Sequence, residues 1–315
     1  MSLAAAMLIA LALDAALGWP DGLYRRIGHP VTWAGRLIAV LDRQWNREGD
    51  SPRRRRGLGV LAALVVIGLA GGAGVVLQLA LPDGWAGVVL SGVLAWPLLA
   101  TRALHDHLRA VALPLQAGDE TAARRAVSMI VGRDPASLDR PAIAPAAPES
   151  LAENTSDGVI APLFWGLVLG LPGIAAYKAI NTLDSMIGHR SARHLAFGWA
   201  SARIDDLANL LPARLTGLLF ALCSPSPGKA ISCILGDAHR HRSPNAGWPE
   251  GAMAGGLGIR LSGPRVYAGK VTPEPWLNAD APDPAPADLF RALALYRRTI
   301  LAMAAILPLA VLAGW

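Results

Sequence analysis

Four groups of side chains along the sequence have the types and spacing to do chemistry. In Glu149-Ser-Leu-Ala-Glu153-Asn154-Thr-Ser-Asp157-Gly158, acidic residues recur every fourth position. On a helix, Glu149, Glu153 and Asp157 share one face, where like charges repel by about 0.2–0.5 kcal/mol per pair. Such a face suits Mg²⁺, which takes oxygen ligands, or a cationic substrate group; the plainer alternative is a solvated acidic face. An apolar run follows at once, which predicts Asp157 at a membrane surface. In Asn181-Thr-Leu-Asp184-Ser-Met-Ile-Gly188, Asn181 and Asp184 are three apart and face the same way on a helix. A helix cap or a turn before Gly188 is the simpler reading.

The third group is Arg203-Ile-Asp205-Asp206-Leu-Ala-Asn209, with Arg214 after Pro212-Ala213. Adjacent aspartates with a nearby Asn suit a divalent ion bound to phosphate, and Arg203 and Arg214 suit a carboxylate or phosphate. A surface network of Asp and Arg is the alternative. The fourth is His239-Arg240-His241-Arg242-Ser-Pro-Asn245-Ala-Gly-Trp-Pro-Glu250, whose turns and cations suit an anion. A basic loop beside the membrane would look the same. His29, in Gly28-His29-Pro30, is a smaller candidate.

Several chemistries are excluded. There is no Walker loop: Lys229 follows Gly228, but Cys223 stands where the first glycine is required. No dinucleotide glycine motif, H-E-x-x-H or G-x-S-x-G is present. Cys223 and Cys233 form no CxxC and have no histidine at zinc spacing, so neither a disulfide framework nor a cysteine metal site is expected.

The elements that position these groups are membrane helices. Of 315 residues, 53% are hydrophobic and 17% charged, against about 25% charged in an average soluble chain. Net charge is +6. The basic residues flank apolar runs instead of interleaving with aromatics, which argues against nucleic acid. Leu3 to Gly18 is apolar apart from Asp14 and reads as a first membrane helix with a functional or pore-facing aspartate. Gly57 to Leu81 carries no charge and is long enough to cross a bilayer. Pro82-Asp83-Gly84 turns the chain and Trp85 to Ala100 returns, giving a transmembrane hairpin. Arginines at 53–56 before it and at 102, 109, 124 and 125 after it place its outer ends in the cytoplasm.

Residues 101–157 read as cytoplasmic helix punctuated by prolines. Residues 158–176 are apolar but interrupted by Pro162, Gly166, Gly170, Pro172 and Gly173. A full crossing would put Lys178, Arg190, Arg193 and Arg203 outside, so a broken or re-entrant element is expected. Leu210 to Cys223 is a short apolar run, residues 224–298 a Gly/Pro-rich cap with turns, and Thr299 to Trp315 a final apolar helix. The expected fold is all-α: one polytopic domain, residues 1–315, with about four to six membrane-embedded helices. Its segments are 1–100, the motif-rich 101–223, 224–298 and 299–315.

Taken in order, these motifs resemble the CobD/CbiB family. The resemblance runs from Asp14 and Gly28-His29-Pro30-Val31 through Ser128-Met-Ile-Val-Gly132-Arg133-Asp134 to Glu149-Ser-x-Ala-Glu153-Asn154-Thr155-Ser156-Asp157-Gly158. It continues with Tyr177-Lys178-Ala-Ile-Asn181-Thr-Leu-Asp184-Ser-Met, Phe197-Gly-Trp199, Asp205-Asp206-x-x-Asn209, Ser243-Pro244-Asn245-Ala-Gly247 and Tyr267-x-Gly269. Pro148 departs from the small aliphatic residue expected before Glu149; a proline there is expected to start the helix.

The resemblance implies a multi-pass inner-membrane enzyme of cobalamin biosynthesis. It implies amide formation between adenosylcobyric acid and (R)-1-amino-2-propanol phosphate, or free aminopropanol, giving adenosylcobinamide phosphate at the expense of ATP. Other late cobalamin-pathway membrane enzymes are expected as partners, with membrane lipid and no nucleic acid.

Individual roles follow from the chemistry. Condensing a carboxylate with an amine in water is uphill, and an acyl phosphate activates it. That step needs a divalent ion on phosphate and a base for the amine. Asp205, Asp206 and Asp157 are the expected Mg²⁺ ligands, and Glu153, Asp184 and Asp157 the catalytic carboxylates. Arg133, Arg203 and Arg214 are expected on phosphate or carboxylate. Asn154, Asn181, Asn209, Asn245 and His29 are the expected polar substrate contacts. Two other classes share some features: an intramembrane prenyltransferase, whose diphosphate motifs would sit too close together here, and a transporter, whose duplicated halves are missing.

Overall fold

The computed structural model describes residues 2–129, 140–189, 191–267, 270–272 and 274–312. Helices dominate, and the strands form two short antiparallel ribbons, Leu261–Ser262 with Trp276–Leu277 and Arg265–Tyr267 with Lys270–Thr272. Among the described residues four helices are long and apolar enough to cross a membrane, or up to six if each of two bent pairs counts as one span. The chain is an all-α polytopic membrane protein. It divides into two compact units interleaved in sequence.

The first unit comprises Met1–Ala100, Ala161–Asn209 and Ile306–Trp315. It holds α1 (Leu3–Leu17), α2 (Asp21–Ile27), α3 (Pro30–Trp45), α4 (Pro52–Ala80), α5 (Trp85–Ala95), α9 (Ala161–Leu183) and α10 (Trp199–Ala208). The Ser51 hydroxyl accepts from the Arg54 amide and Pro52 takes the first turn, so the arginine run opens α4. Its 29 residues extend about 43 Å, more than a hydrocarbon core of about 30 Å.

The sequence suggests a hairpin of α4 and α5, but each finds another partner: α4 runs along α9, and α5 along α1. Glycines permit the close approach. A Cβ on Gly74 would lie 2.7 Å from the Pro172 backbone, and one on Gly92 would lie 2.7 Å from Ile9 Cβ.

Helix α9 folds back on itself as a helical hairpin. Its chain turns at Gly170, with φ 69° and ψ −148°, a conformation essentially reserved for glycine. In a straight helix, residues eight apart are separated by about 12 Å. Here a Cβ on Gly173 would sit 2.2 Å from the Trp165 carbonyl oxygen. Ala161 and Tyr177 also share one buried cluster with Ala208. The arms are thus antiparallel, and each is too short to cross a bilayer alone. Gln78 of α4 clamps the turn, its side-chain oxygen accepting from the Leu171 amide at 2.9 Å.

The second unit comprises Thr101–Ile160 and Leu210–Ala305. It holds α6 (Thr101–Gln116), α7 (Glu120–Val127), α8 (Arg140–Thr155), α11 (Leu210–Cys223), α12 (Pro227–Asp237), α13 (Gly247–Leu257) and most of α14 (Pro286–Leu312). Two expectations change here. Pro148 does not start a helix: it lies, with Pro145, inside α8. The Gly/Pro-rich region is not mainly turns, because it contains α13, buried almost throughout and packed by α11 and α12. The glycines serve that packing: a Cβ on Gly255 would lie 2.5 Å from the Lys229 carbonyl oxygen.

Candidate active site residues on two units

The helical hairpin of the first unit carries Tyr177, Asn181 and Asp184 on or directly after its returning arm. Tyr177 is buried and donates its hydroxyl to Asn209 Oδ1 at 2.8 Å. Asn209 Nδ2 donates to Asp205 Oδ2 at 3.0 Å. The chain Tyr177–Asn209–Asp205 therefore fixes a carboxylate that is only 8% exposed. A buried polar chain of this kind holds its geometry because an unpaired member would lose its solvation without compensation. Trp165 reinforces it from the descending arm by donating its indole N–H to the Ala208 carbonyl.

Asp184 opens a π-helical turn, Asp184–Gly188. Such turns recur at functional sites because the widened backbone re-aims side chains. Gly188 makes room for that carboxylate: a Cβ there would lie 1.9 Å from Asp184 Oδ1. Asp206, one residue from Asp205, points elsewhere, since adjacent helix positions do not face each other. It pairs with Arg203 at 3.2 Å and, with Gly188, His189 and His194, lines a cavity of about 80 Å³.

His29 caps α3. Its Nδ1 accepts from the Val31 amide at 3.2 Å, and the Thr32 hydroxyl reciprocates towards the His29 backbone. Burial, then the nearby Lys178 charge, holds its imidazole below the usual histidine range. It is therefore expected to be neutral at pH 7.

In the second unit, the acidic triplet is unequally exposed, and only Glu149 and Glu153 lie on the same helix, α8. Glu149 is buried and accepts from the Ser262 amide at 2.7 Å, whereas Glu153 is exposed. Asp157 lies half-buried in a second π-helical turn, Ser156–Ile160, which breaks the fourfold spacing. Asn154 donates back to Ser150 of its own helix, to the carbonyl at 2.8 Å and the hydroxyl at 3.1 Å. Arg214 stacks over Trp248, 4.5 Å from the ring centre, and donates to the Leu210 carbonyl and to Asn245 Oδ1. These contacts fix the position of its guanidinium. Arg133 lies outside the described residues.

Two contacts of buried glutamates escape a reading by spacing. His241 Nε2 lies 3.8 Å from Glu250, and Arg242 lies 3.3 Å from Glu274. Both glutamates are almost fully buried. In the sequence Glu250 only closes the basic loop, and Glu274 stands in no motif. Tyr177 falls within a sequence motif, but its hydroxyl's place in the chain to Asp205 has no sequence signal.

Among the described residues no three or more His, Cys, Asp or Glu side chains gather as a metal cage would require. Mg²⁺ commonly takes one or two protein carboxylates and completes its shell with substrate phosphate and water. Asp206 beside Arg203 fits that mode. Asp205 bonds to Asn209, whereas Asp206 pairs with Arg203.

A model of the CobD/Cbib protein family matches residues 7–296. A protein of Rhodobacter capsulatus named cobalamin biosynthesis protein CobD is 63% identical over 309 residues, covering 98% of each chain. Proteins of the same name from Brucella anthropi and a Sinorhizobium species are 46% and 48% identical, covering 97% and 86% of this chain and 96% and 86% of their own. No solved structure matches.

Proposed function

Since this chain belongs to the CobD/CbiB family and its role is in cobalamin biosynthesis, we propose that it joins adenosylcobyric acid to aminopropanol phosphate through an amide bond, at the expense of ATP. The near full-length identity to proteins named for this pathway carries the reading. The polar site on the helical hairpin supplies chemistry that such a reaction requires.

The corrinoid carboxylate attacks the terminal phosphorus of ATP, releasing ADP and forming an acyl phosphate. The amine then attacks the acyl carbon, phosphate leaves, and the ammonium proton passes to a base. Asp184, freed from ordinary helical register by its π turn, is that base in the first unit. Arg203 and Asp206, around the small cavity, meet phosphate. Asp206 would hold Mg²⁺ there, which would neutralise phosphate charge. Asp205 is positioned by Asn209 and Tyr177 and sets the orientation of α10. Asn181, Glu153, Asn154, Asp157, Arg214 and Asn245 are proposed substrate contacts, each read from its own substitution.

The enzyme sits in the inner membrane with the open end of the hairpin towards the cytoplasm. Lys178 on its returning arm, Arg193 and Arg203 beyond it, and the four arginines opening α4 support that orientation. Purified protein incubated with adenosylcobyric acid, aminopropanol phosphate, ATP and Mg²⁺ tests the proposal by mass spectrometry of the corrinoid. The expected product has gained one aminopropanol phosphate less one water. Asp184→Asn is expected to lower kcat by about 10²–10⁴, the range of a general base. An unchanged corrinoid mass with active-folded protein would remove the reading.

A further inference from the structure

The first unit encloses a half-open cavity of about 600 Å³ that takes no part in the chemistry above. It exists because consecutive helices α4 and α5 pack on different partners and leave a gap. Leu69, Ala73 and Leu77 of α4 form one wall and Val93 of α5 another. Leu69, Leu77 and Val93 are also substantially exposed on membrane-length segments. The gap therefore opens sideways onto hydrocarbon. Its volume falls within the about 300–1,000 Å³ of small-molecule sites.

The cavity is polarised. Its bore is aliphatic, and among the described residues Lys178 is the charged side chain that lines it. Trp19 and Trp96, which also line it, pack edge to face at 5.5 Å, and Trp19 meets His29 at 5.2 Å. The indole N–H groups of Trp19 and Trp96 donate to the Gly28 and Gly18 carbonyls at 3.1 Å each. Their donors are thus satisfied and their rings line the space, as tryptophans do at headgroup level. A corrinoid, with many amide arms, would bury polar groups against an aliphatic wall without partners. An apolar bore with one basic end complements an anionic amphiphile.

We propose that this cavity binds a bilayer phospholipid, its acyl chain between α4 and α5 and its anionic headgroup at Lys178. The site stands independently of the reaction proposed above. Lys178 lies about one turn before Asn181 and about two before Asp184, so a bound lipid would brace the segment that carries them.

Native mass spectrometry tests this on the full chain, reconstituted with equal amounts of palmitoyl-oleoyl phosphatidylglycerol and phosphatidylcholine and re-extracted in mild detergent. The wild type is expected to retain one lipid, with phosphatidylglycerol favoured about fivefold, the weight of one basic side chain near an anionic surface. Lys178→Gln is expected to keep a lipid but lose the preference, and Lys178→Arg to retain it. Ala73→Phe, filling the bore from an exposed position, is expected to abolish retention; Leu77→Trp is the second filling variant. A wild type that retains no lipid, or both lipids equally, overturns the proposal. So does a filled variant that retains lipid as the wild type does.

Discussion

Replacing Gly170 with alanine tests the helical hairpin. At φ 69° and ψ −148°, a side chain costs about 1–3 kcal/mol in backbone strain. The new Cβ would also meet Gln78 Oε1 at 2.1 Å. That oxygen accepts from the Leu171 amide, and losing it inside the membrane costs about 1–3 kcal/mol more. Together these give about 2–6 kcal/mol, a fall on the order of 5–15 °C in the unfolding midpoint. Thermal unfolding of purified protein in detergent, followed by intrinsic fluorescence, measures it. Gln78→Leu removes the acceptor and spares the glycine, so its fall should be about half as large. A Gly170→Ala protein that melts with the wild type would refute the hairpin and the placement of Asp184 built on it.

Other outcomes follow from the same geometry. Asn209→Ala strips both Tyr177 and Asp205 of a buried partner and should destabilise by about 1–3 kcal/mol for each; Tyr177→Phe, which removes one bond, should do less, and equal effects in chemical denaturation would deny the chain. Gly188→Ala, by displacing the Asp184 carboxylate, should lower kcat more than it lowers stability; a loss confined to stability would take Asp184 out of the site. For Asp42, burial raises its pKa, but hydrogen bonds from Asn46 and Arg193, with the Arg193 and His194 charges, hold it net below the carboxylate range. Its depressed folded pKa contributes stability that is present above the unfolded value, near about 4, and is lost as pH falls through the folded value. The gap in melting temperature between wild type and Asp42→Asn should therefore close on acidification, and a gap constant with pH would contradict this. Burial first, then Asp237, pushes the Cys233 thiol up to about 12, so iodoacetamide at pH 8 should leave it unmodified until the protein unfolds. Alkylation in the native state would oppose its burial.

Much of this architecture is legible in the residues. The charge-free run after four arginines marks α4, and the glycines and prolines of 158–176, set against the later basic residues, mark a chain that turns back. What spacing does not convey is which helix packs on which. Prediction by proximity pairs α4 with α5, whereas glycine-sized notches at Gly74 and Gly92 pair them with α9 and α1. Acidic spacing misleads at Asp157, because a rule for continuous helices cannot anticipate the π turn at Ser156–Ile160, and at Glu149, because it cannot anticipate the Ser262 amide 113 residues away. Asp205-Asp206 reads as a pair from the sequence, which carries no sign that Asp205 bonds to Asn209 while Asp206 turns to Arg203. Glu274 has no local signal, since its partner Arg242 arrives from a distant segment.

The central claim is that the corrinoid carboxylate is activated by phosphoryl transfer before the amine attacks. Adenosylcobyric acid labelled with ¹⁸O in both oxygens of its reactive carboxylate tests it directly. After turnover with ATP and aminopropanol phosphate, the account predicts one ¹⁸O atom in the inorganic phosphate released and one in the amide carbonyl. Label in AMP, or inorganic phosphate free of ¹⁸O, would contradict it.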